Sequence, residues 1–551
     1  MAQTQAEDII NGWITDARSH DFVSITHEGI TNDAASGVTS VNNLKISINI
    51  SQAMIEGSES ARPDGEIVYT ITFPQLRFTR LGLDSGYYSA GRIEADSAGF
   101  TLEVNASGNE TQGSGSYDGI LIENARWARL PAVESDPSRP LSRFYPLVAA
   151  LTDFSASQMR LGRLKMTQTS HQPSPVRTTA EYGGSIYRNI VRGDTASITM
   201  AGVKMMISPL EGTSGEVVNI TVGPSSMTDY NAGTLVRSFG PGGWADGAQS
   251  RKIIGEMHLG GLDVRATSGT FSIGSIVVRD IFARPTGVDL PATLDALFLL
   301  IKNGEEPDAQ MIARLVAGSY GSLGLGELSV TGVNFDVPGE AKGSMDRFSI
   351  RELSRDGLGG VSVSGVEFAA KDGTRGALGL FDLSGLTFPA LDALIGLEAA
   401  QARGDIAAIM QAIPTMKKAV MQDVRLTIPG KGDISLASQS VVMGGHIGPI
   451  PASLAMSITG LVVPASILEP RERAGLAGLG YDGVNLSLAI RAGWDEVSKI
   501  MTLAASGSLA DGGKIDATIK LGGIPRSVFE NPATAQNILP LITFNQGDAV
   551  F

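Results

Sequence analysis

Cysteine is absent from the 551 residues, which removes disulfides, thiol catalysis and thiolate metal sites together. Basic residues are few: 43 Lys and Arg stand against 57 Asp and Glu, a net charge of -14, and no basic run occurs. The attraction that drives binding to nucleic acid or to an anionic membrane is therefore missing. No apolar run approaches the roughly 20 residues that cross a bilayer as a helix. Met1 to Asp8 has neither a basic nor an apolar leader segment, while Ala2-Gln3-Thr4-Gln5 reads as the remnant of cleavage after small residues. The expectation is a soluble, exported protein of the periplasm.

The usual chemical devices are missing as well. His20, His27, His171, His258 and His446 are scattered, with no HExxH spacing, and no GxSxG, P-loop or EF-hand spelling is present. Gly478-Leu-Gly-Tyr-Asp-Gly483 has the dinucleotide-binding spelling, but a helical segment precedes it and a strand follows, the reverse of what a pyrophosphate needs. It reads as a helix-to-strand turn. Arg192-Gly193-Asp194 has the spelling of an integrin-ligand tripeptide and lies before the strand-like Ser197 to Met200, but three residues match by chance too easily to carry adhesion. Glu305-Glu306 and Glu7-Asp8 read as solvated turns and helix starts. Phe551 resembles the terminal aromatic of outer-membrane barrels, but alternation fails over 545–551 and aromatics are only 6%, thin for interfacial girdles. No catalytic, cofactor-binding or metal residue is assigned.

Glycine is what the chain has in excess, 67 residues, near twice the ordinary share of about 7%. Five of these glycines sit in one recurring pattern, apolar-x-apolar-Ser/Thr-Gly-apolar-x-apolar. The pattern reads Leu328 to Phe335, Val361 to Phe368, Phe381 to Phe388 and Met456 to Val463, with a looser copy at Met257 to Val264. Apolar residues keep period two on each side of the glycine, but the phase slips by one residue across it. On a pleated strand such a slip sends the apolar set to the other face, so a β-bulge is expected at Gly261, Gly332, Gly365, Gly385 and Gly460.

A second repeat is Pro-Ala after a strand. Pro291, Pro389 and Pro464 are expected to open helices, since proline is pre-set for the first helical position. Two copies run on alike, Leu294-Asp295-Ala296-Leu297 and Leu391-Asp392-Ala393-Leu394, which indicates duplication. Ile9, Ile10, Trp13, Ile14 and Ala17 give one apolar helical stripe. Alternation at Leu44 to Ile50, Ile67 to Phe73 and Phe100 to Val104 marks half-buried antiparallel strands.

The expected fold is mainly β with inserted helices, long curved antiparallel sheets built from duplicated strand/helix/strand units. Residues 1–170 would hold the first helix, a β-meander and a further helix. Residues 171–250 would be an irregular insert or junction, and 251–551 the repeated bulged strands with Pro-Ala helical crossovers and a C-terminal meander.

The repeat, with Leu479-Gly-Tyr-Asp-Gly483 to Ile490 running into Gly493-Trp494-Asp495, resembles uncharacterised periplasmic β-repeat proteins of alphaproteobacteria and, more distantly, the AsmA-like envelope proteins. The resemblance covers mainly 254–521. It implies an exported protein with long curved sheets and a link to lipid movement or envelope homeostasis, although the membrane anchor of the AsmA-like group has no counterpart here. The expectation is a non-enzymatic envelope protein that binds or shields lipid or another apolar ligand in a β-sheet groove, or partners another envelope protein. Two alternatives stand beside it: a structural or partner-binding β-protein with a filled core, and a hydrolase for which His258, Asp263 and His446 would have to meet.

Overall fold

The computed structural model describes residues 2–550 apart from 21, 34, 50–64, 107–108, 134–135, 172–174, 241–248, 285–288, 309–310, 313–314, 317–320 and 533–534. The turn at 62–64, Trp244, Gly287 and Phe551 lie outside the described residues. The chain is mainly β, its strands paired antiparallel and linked by turns and short helices. It divides into two compact units, Met1–Ser268 with Ser275–Gly324, and Gly269–Gly274 with Leu325–Phe551.

This division differs from the expected three parts. Residues 176–231 are regular strands, not an insert. The strands there are five to seven residues long, and their breaks at Gly183-Gly184, Ala201-Gly202 and Gly223-Pro224 look like loop composition.

In the first unit the helix Ala2–Arg18 lays Ile10, Ile14 and Ala17 onto a core with Ile25, Val41, Leu44 and Phe78. The helix is also pinned by polar contacts. Tyr88 donates its phenol to Asp16 at 2.5 Å, and Arg129 grips the same carboxylate with two bonds of 2.8 and 2.7 Å. Beyond this core the strands come as collinear halves separated by two residues, such as Tyr87–Ala95 with Ala98–Ala106 and Val176–Tyr182 with Ser185–Val191. The long strand Gly65–Thr79 pairs with both halves of the first of these pairs, and Arg251–Ala266 pairs with both Val218–Val222 and Ser225–Asn231. The halves therefore form one meander interrupted along a line. At that line the backbone bonds still cross, as in Gly162 N–H to Gly119 O at 2.8 Å and Gly183 N–H to Gly202 O at 2.7 Å.

The second unit is an up-and-down meander from Leu323–Val337 to Thr543–Val550, each strand pairing antiparallel with the next. Residues paired directly across an antiparallel ladder share a face, so the registers define rows running across the strands. One row is Leu328, Ile350, Val361, Leu383, Ala419 and Val441, continuing to Met456 and Ile490. The row one residue along each strand is Ser329, Ser349, Ser362, Asp382, Val420, Ser440 and Ser457. One side of the sheet is thus aliphatic and the other rich in serine.

The alternation breaks along a crease. Thr331 pairs with Arg347 and Val333 with Met345, so Gly332 and Asp346 face each other without a ladder pair. The line continues through Gly365, Gly379, Asp423, Ala437 and Gly460. Every second strand crosses it in the left-handed region: φ is 64° at Gly332, 63° at Gly365, 54° at Asp423 and 62° at Gly460. A second crease passes through Glu352, Gly359 and Gly385, with φ 53° at Glu352 and 67° at Gly385.

Beyond the first crease the apolar row resumes in the shifted phase, as Val333, Met345, Val366, Leu378, Val424 and Leu436. The phase slip of the repeat is therefore real, but the expected bulge is corrected at most positions. The register is the same on both sides of Gly332, Gly365 and Gly385, because the facing strand skips a pair at the same place and no extra residue is needed. An inserted residue occurs at Gly460, between Ile458 and Leu461. At Gly261 the strand exchanges bonds with its neighbour, Gly223 N–H to Gly261 O and Gly260 N–H to Pro224 O.

The prolines divide similarly. Pro291 lies in the first turn of the helix Leu290–Asn303, whose N-cap Asp289 accepts from Ala292 N–H. Pro389 instead precedes the N-cap Ala390 of Leu391–Ile395. Pro464 ends a strand and caps a 3-10 turn, while Pro470 occupies the first turn of the helix that follows. The helices after Pro389 and Pro464 join strands that pair antiparallel as neighbours, so these two are connections and not crossovers.

Candidate ligand-binding face

The aliphatic rows are the one chemically distinctive surface that the described residues form. They are not sealed. Leu328, Ile350, Val361 and Leu383 are half-buried, and Met456 and Ile490 are 41% and 39% exposed. The closed core of the second unit gathers elsewhere, around Ile447, Ile524 and Phe529. There the Trp494 ring lies tilted against Phe529, with centroids 4.6 Å apart, and donates to Ile524 O at 2.9 Å. At the outer margin of the aliphatic side, Phe335 and Phe368 lie over Gly343 and Gly376 on the next strands, filling the space that a side chain there would take.

Cavity geometry agrees with an open face. On the aliphatic rows a shallow depression of about 40 Å³ lies among Val441, Met456, Ile458, Leu488 and Ile490. The larger grooves combine charged and apolar walls, with Phe335 and Phe368 lining the first and Met205 and Met206 the second. One of about 700 Å³ is bordered by Asp336, Lys342, Glu367, Arg375 and Arg425, and one of about 570 Å³ by Lys165, Glu181 and Lys204. Charges of both signs alternate along each, the pattern of a solvated sheet face.

Within the first unit, the residues considered for chemistry are not brought together. His258 and Asp263 lie five positions apart on one extended strand, roughly 17 Å at 3.4 Å per residue, and Asp263 is paired with Arg265. His446 belongs to the second unit. Among the described residues no group of three His, Asp or Glu side chains could hold a metal ion. No helix there is long and apolar enough to cross a membrane. Arg192 and Gly193 form the tight turn between Ser185–Val191 and Asp194–Met200, with φ 51° and 81°. Arg192 pairs with Asp153, and Asp194 accepts from Thr234 and Arg237, so both charged arms of the tripeptide serve the fold. Gly480, with φ 82°, turns the chain from helix Pro470–Gly478 into strand Gly483–Asp495.

Sequence reasoning found the crease glycines but missed their acidic and amide counterparts. Asn124, Asn189, Asp229, Asp280, Glu352 and Asp423 also take left-handed φ within strands. The available signal was a small residue at the facing position, such as Gly255 beside Asp229 and Gly359 beside Glu352, but it is visible only once the register is known.

No protein-family model matches the chain, and no curated protein matches it.

Proposed function

We propose that this is a non-enzymatic protein of the cell envelope that holds or shields lipid or another apolar ligand against the aliphatic face of its creased sheets. The observation that carries this reading is the run of transverse aliphatic rows, Leu328 to Ile490 and Val333 to Leu436, left half-exposed while the facing row is serine-rich. Each apolar Å² left in water forgoes about 25 cal/mol, and a contiguous apolar surface beyond a few hundred Å² calls for a covering ligand or partner. The net charge of -14 disfavours attraction to anionic headgroups, so contact with hydrocarbon chains would supply the affinity. The envelope location rests on the resemblance of the strand repeat and of 479–495.

The test is lipid extraction and native mass spectrometry of the purified protein. Co-purifying lipid, or saturable uptake of a long-chain apolar probe, is the expected result. Protein free of lipid that also fails to take up such a probe overturns the reading. A second reading, a partner-binding β-protein, is favoured by Leu151 and Ile301, which are 59% and 63% exposed on short helices. Its mark would be a protein complex whose formation protects those helices from proteolysis.

A further inference from the structure

The first unit carries the same aliphatic rows, but they are interrupted by a group of tyrosines. Tyr69, Tyr117, Tyr182 and Tyr187 are all half-buried on strands of this meander. Tyr117 and Tyr182 stand in one row, each paired with Leu164 between them. Tyr69 and Tyr117 are linked through Phe100, whose ring centroid lies 5.9 Å from one and 6.0 Å from the other. Tyr187 stands across the break at Gly183-Gly184, in the row of Ile122, Met159 and Ile198.

These phenols differ from the others nearby. Tyr87 and Tyr88 donate to Asp153 and Asp16, whereas none of the four has a hydrogen-bond partner among the described residues. Burial raises the pKa of Tyr69 and Tyr117, and for Tyr117 the neighbouring phenols of Tyr187 and Tyr182 add to it. The paired rows that contain the four hold no Asp, Glu, Lys, Arg or His. Lys165, Glu181 and Lys204 belong to the adjoining row, which faces the other way.

We infer that Tyr69, Tyr117, Tyr182 and Tyr187 form a binding site for the ester carbonyl groups of a long-chain acylated ligand whose hydrocarbon lies along the neighbouring aliphatic rows. A phenol is a better donor than acceptor, so a cluster of them selects an acceptor oxygen. A charged group would be stranded there without a counter-ion. A hydrocarbon without oxygen would leave the phenols unpaired once water is displaced, at a cost that the ester avoids. This inference rests on the apolar-ligand reading above and adds the part of the ligand that is recognised.

The test compares a long-chain fatty acid methyl ester with the n-alkane of equal length, titrated into the intact protein and followed by intrinsic fluorescence. The quadruple variant Y69F/Y117F/Y182F/Y187F, which keeps ring packing, is titrated in parallel after circular dichroism shows it folded. The expected result is an about tenfold preference of the native protein for the ester, the yield of one or two net hydrogen bonds, and no preference in the variant. Equal binding of ester and alkane by the native protein overturns the inference while leaving the apolar-ligand reading standing, as does a preference that survives in the variant. Failure of both probes to bind overturns the two together. Should the quadruple variant not fold, Tyr117→Phe alone is read in the same way, with a partial loss of preference expected and an unchanged preference overturning the inference.

Discussion

Asp423 turns through a left-handed φ of 54° opposite Gly379, and a methyl group placed on Gly379 would stand 2.8 Å from the Asp423 Cβ. At this point the crease is a two-residue device: one strand supplies a left-handed residue, and the next supplies a residue small enough for that side chain to lie over. Asp229 over Gly255 and Glu352 over Gly359 repeat it. Gly332→Val and Gly385→Val should each destabilise by about 1–3 kcal/mol, because a branched residue resists positive φ. Gly379→Ala should destabilise for the other reason, the clash with Asp423. Asp423→Gly should be neutral or stabilising, since it relieves the strained conformation. Gly475→Ala, in open space within the helix Pro470–Gly478, should stabilise by roughly 0.5–1 kcal/mol and serves as the control. Urea midpoints measured on the set decide the matter; unchanged midpoints for both valine variants would remove the crease argument.

The tie between Tyr88 and Asp16 gives a pH signature with two limbs. Arg129's hydrogen bonds, partly offset by burial and joined by the Tyr88 hydroxyl, hold the Asp16 carboxyl below its ordinary value. Its stabilisation is complete above the unfolded-chain value of about 3.9 and is lost as pH falls through the lower native one. Burial, with the bond to Asp16, pushes the Tyr88 phenol up to about 12. That contribution is complete below the unfolded value of about 10 and is lost as pH rises towards 12. Tyr88→Phe should cost about 1–3 kcal/mol at neutral pH and flatten the alkaline limb, while Asp16→Asn should flatten the acid limb. Denaturation midpoints measured from acid to alkaline pH check both, and limbs unaltered by the substitutions would refute the assignment.

Val363 and Ser362 are neighbours in one strand and lie on its aliphatic and serine-rich sides respectively. Val363→Glu should abolish uptake of a long-chain apolar probe, because it places a charge in the middle of the proposed binding face. Ser362→Glu should leave uptake within about twofold. Equal losses from the two would mean that binding does not follow the rows.

Much of this was legible in the sequence. The stripe Ile9, Ile10, Ile14 and Ala17 specified the first helix and its buried side, and the alternation at Leu44 to Ile50 specified a strand. The phase slip at Gly332, Gly365 and Gly385 marked the crease. What could not be read was how the slip is accommodated, since an unbroken register depends on the facing strand skipping a pair too, and that strand shows Asp346 or Gly379 with no pattern of its own. The strands of 176–231 were hidden because each half is too short for alternation to stand out. The tyrosine group was hidden for a further reason: Tyr69 and Tyr187 are 118 positions apart in the chain, and only the ladder gathers them.

The duplicated tetrapeptides make the same point and supply a final test. Leu294-Asp295-Ala296-Leu297 and Leu391-Asp392-Ala393-Leu394 read alike, and both fall in helices. Yet Asp295 is buried, at 5% exposure, and accepts the backbone N–H groups of Leu141 and Ser142 at 2.7 and 3.0 Å. It caps the 3-10 turn Ser142–Phe144, from a position more than 150 residues along the chain. Asp392 is exposed. Asp295→Ala would strand the buried Ser142 donor and release the part-buried one of Leu141, and should cost about 1–3 kcal/mol, whereas Asp392→Ala should stay within roughly 0.5 kcal/mol. Asp295→Asn should fall between them, because its amide oxygen still accepts but the negative charge that strengthens both bonds is gone. Equal effects of the two alanine variants on the unfolding midpoint would show that the shared spelling, and not the contact to Leu141 and Ser142, sets the contribution of these residues.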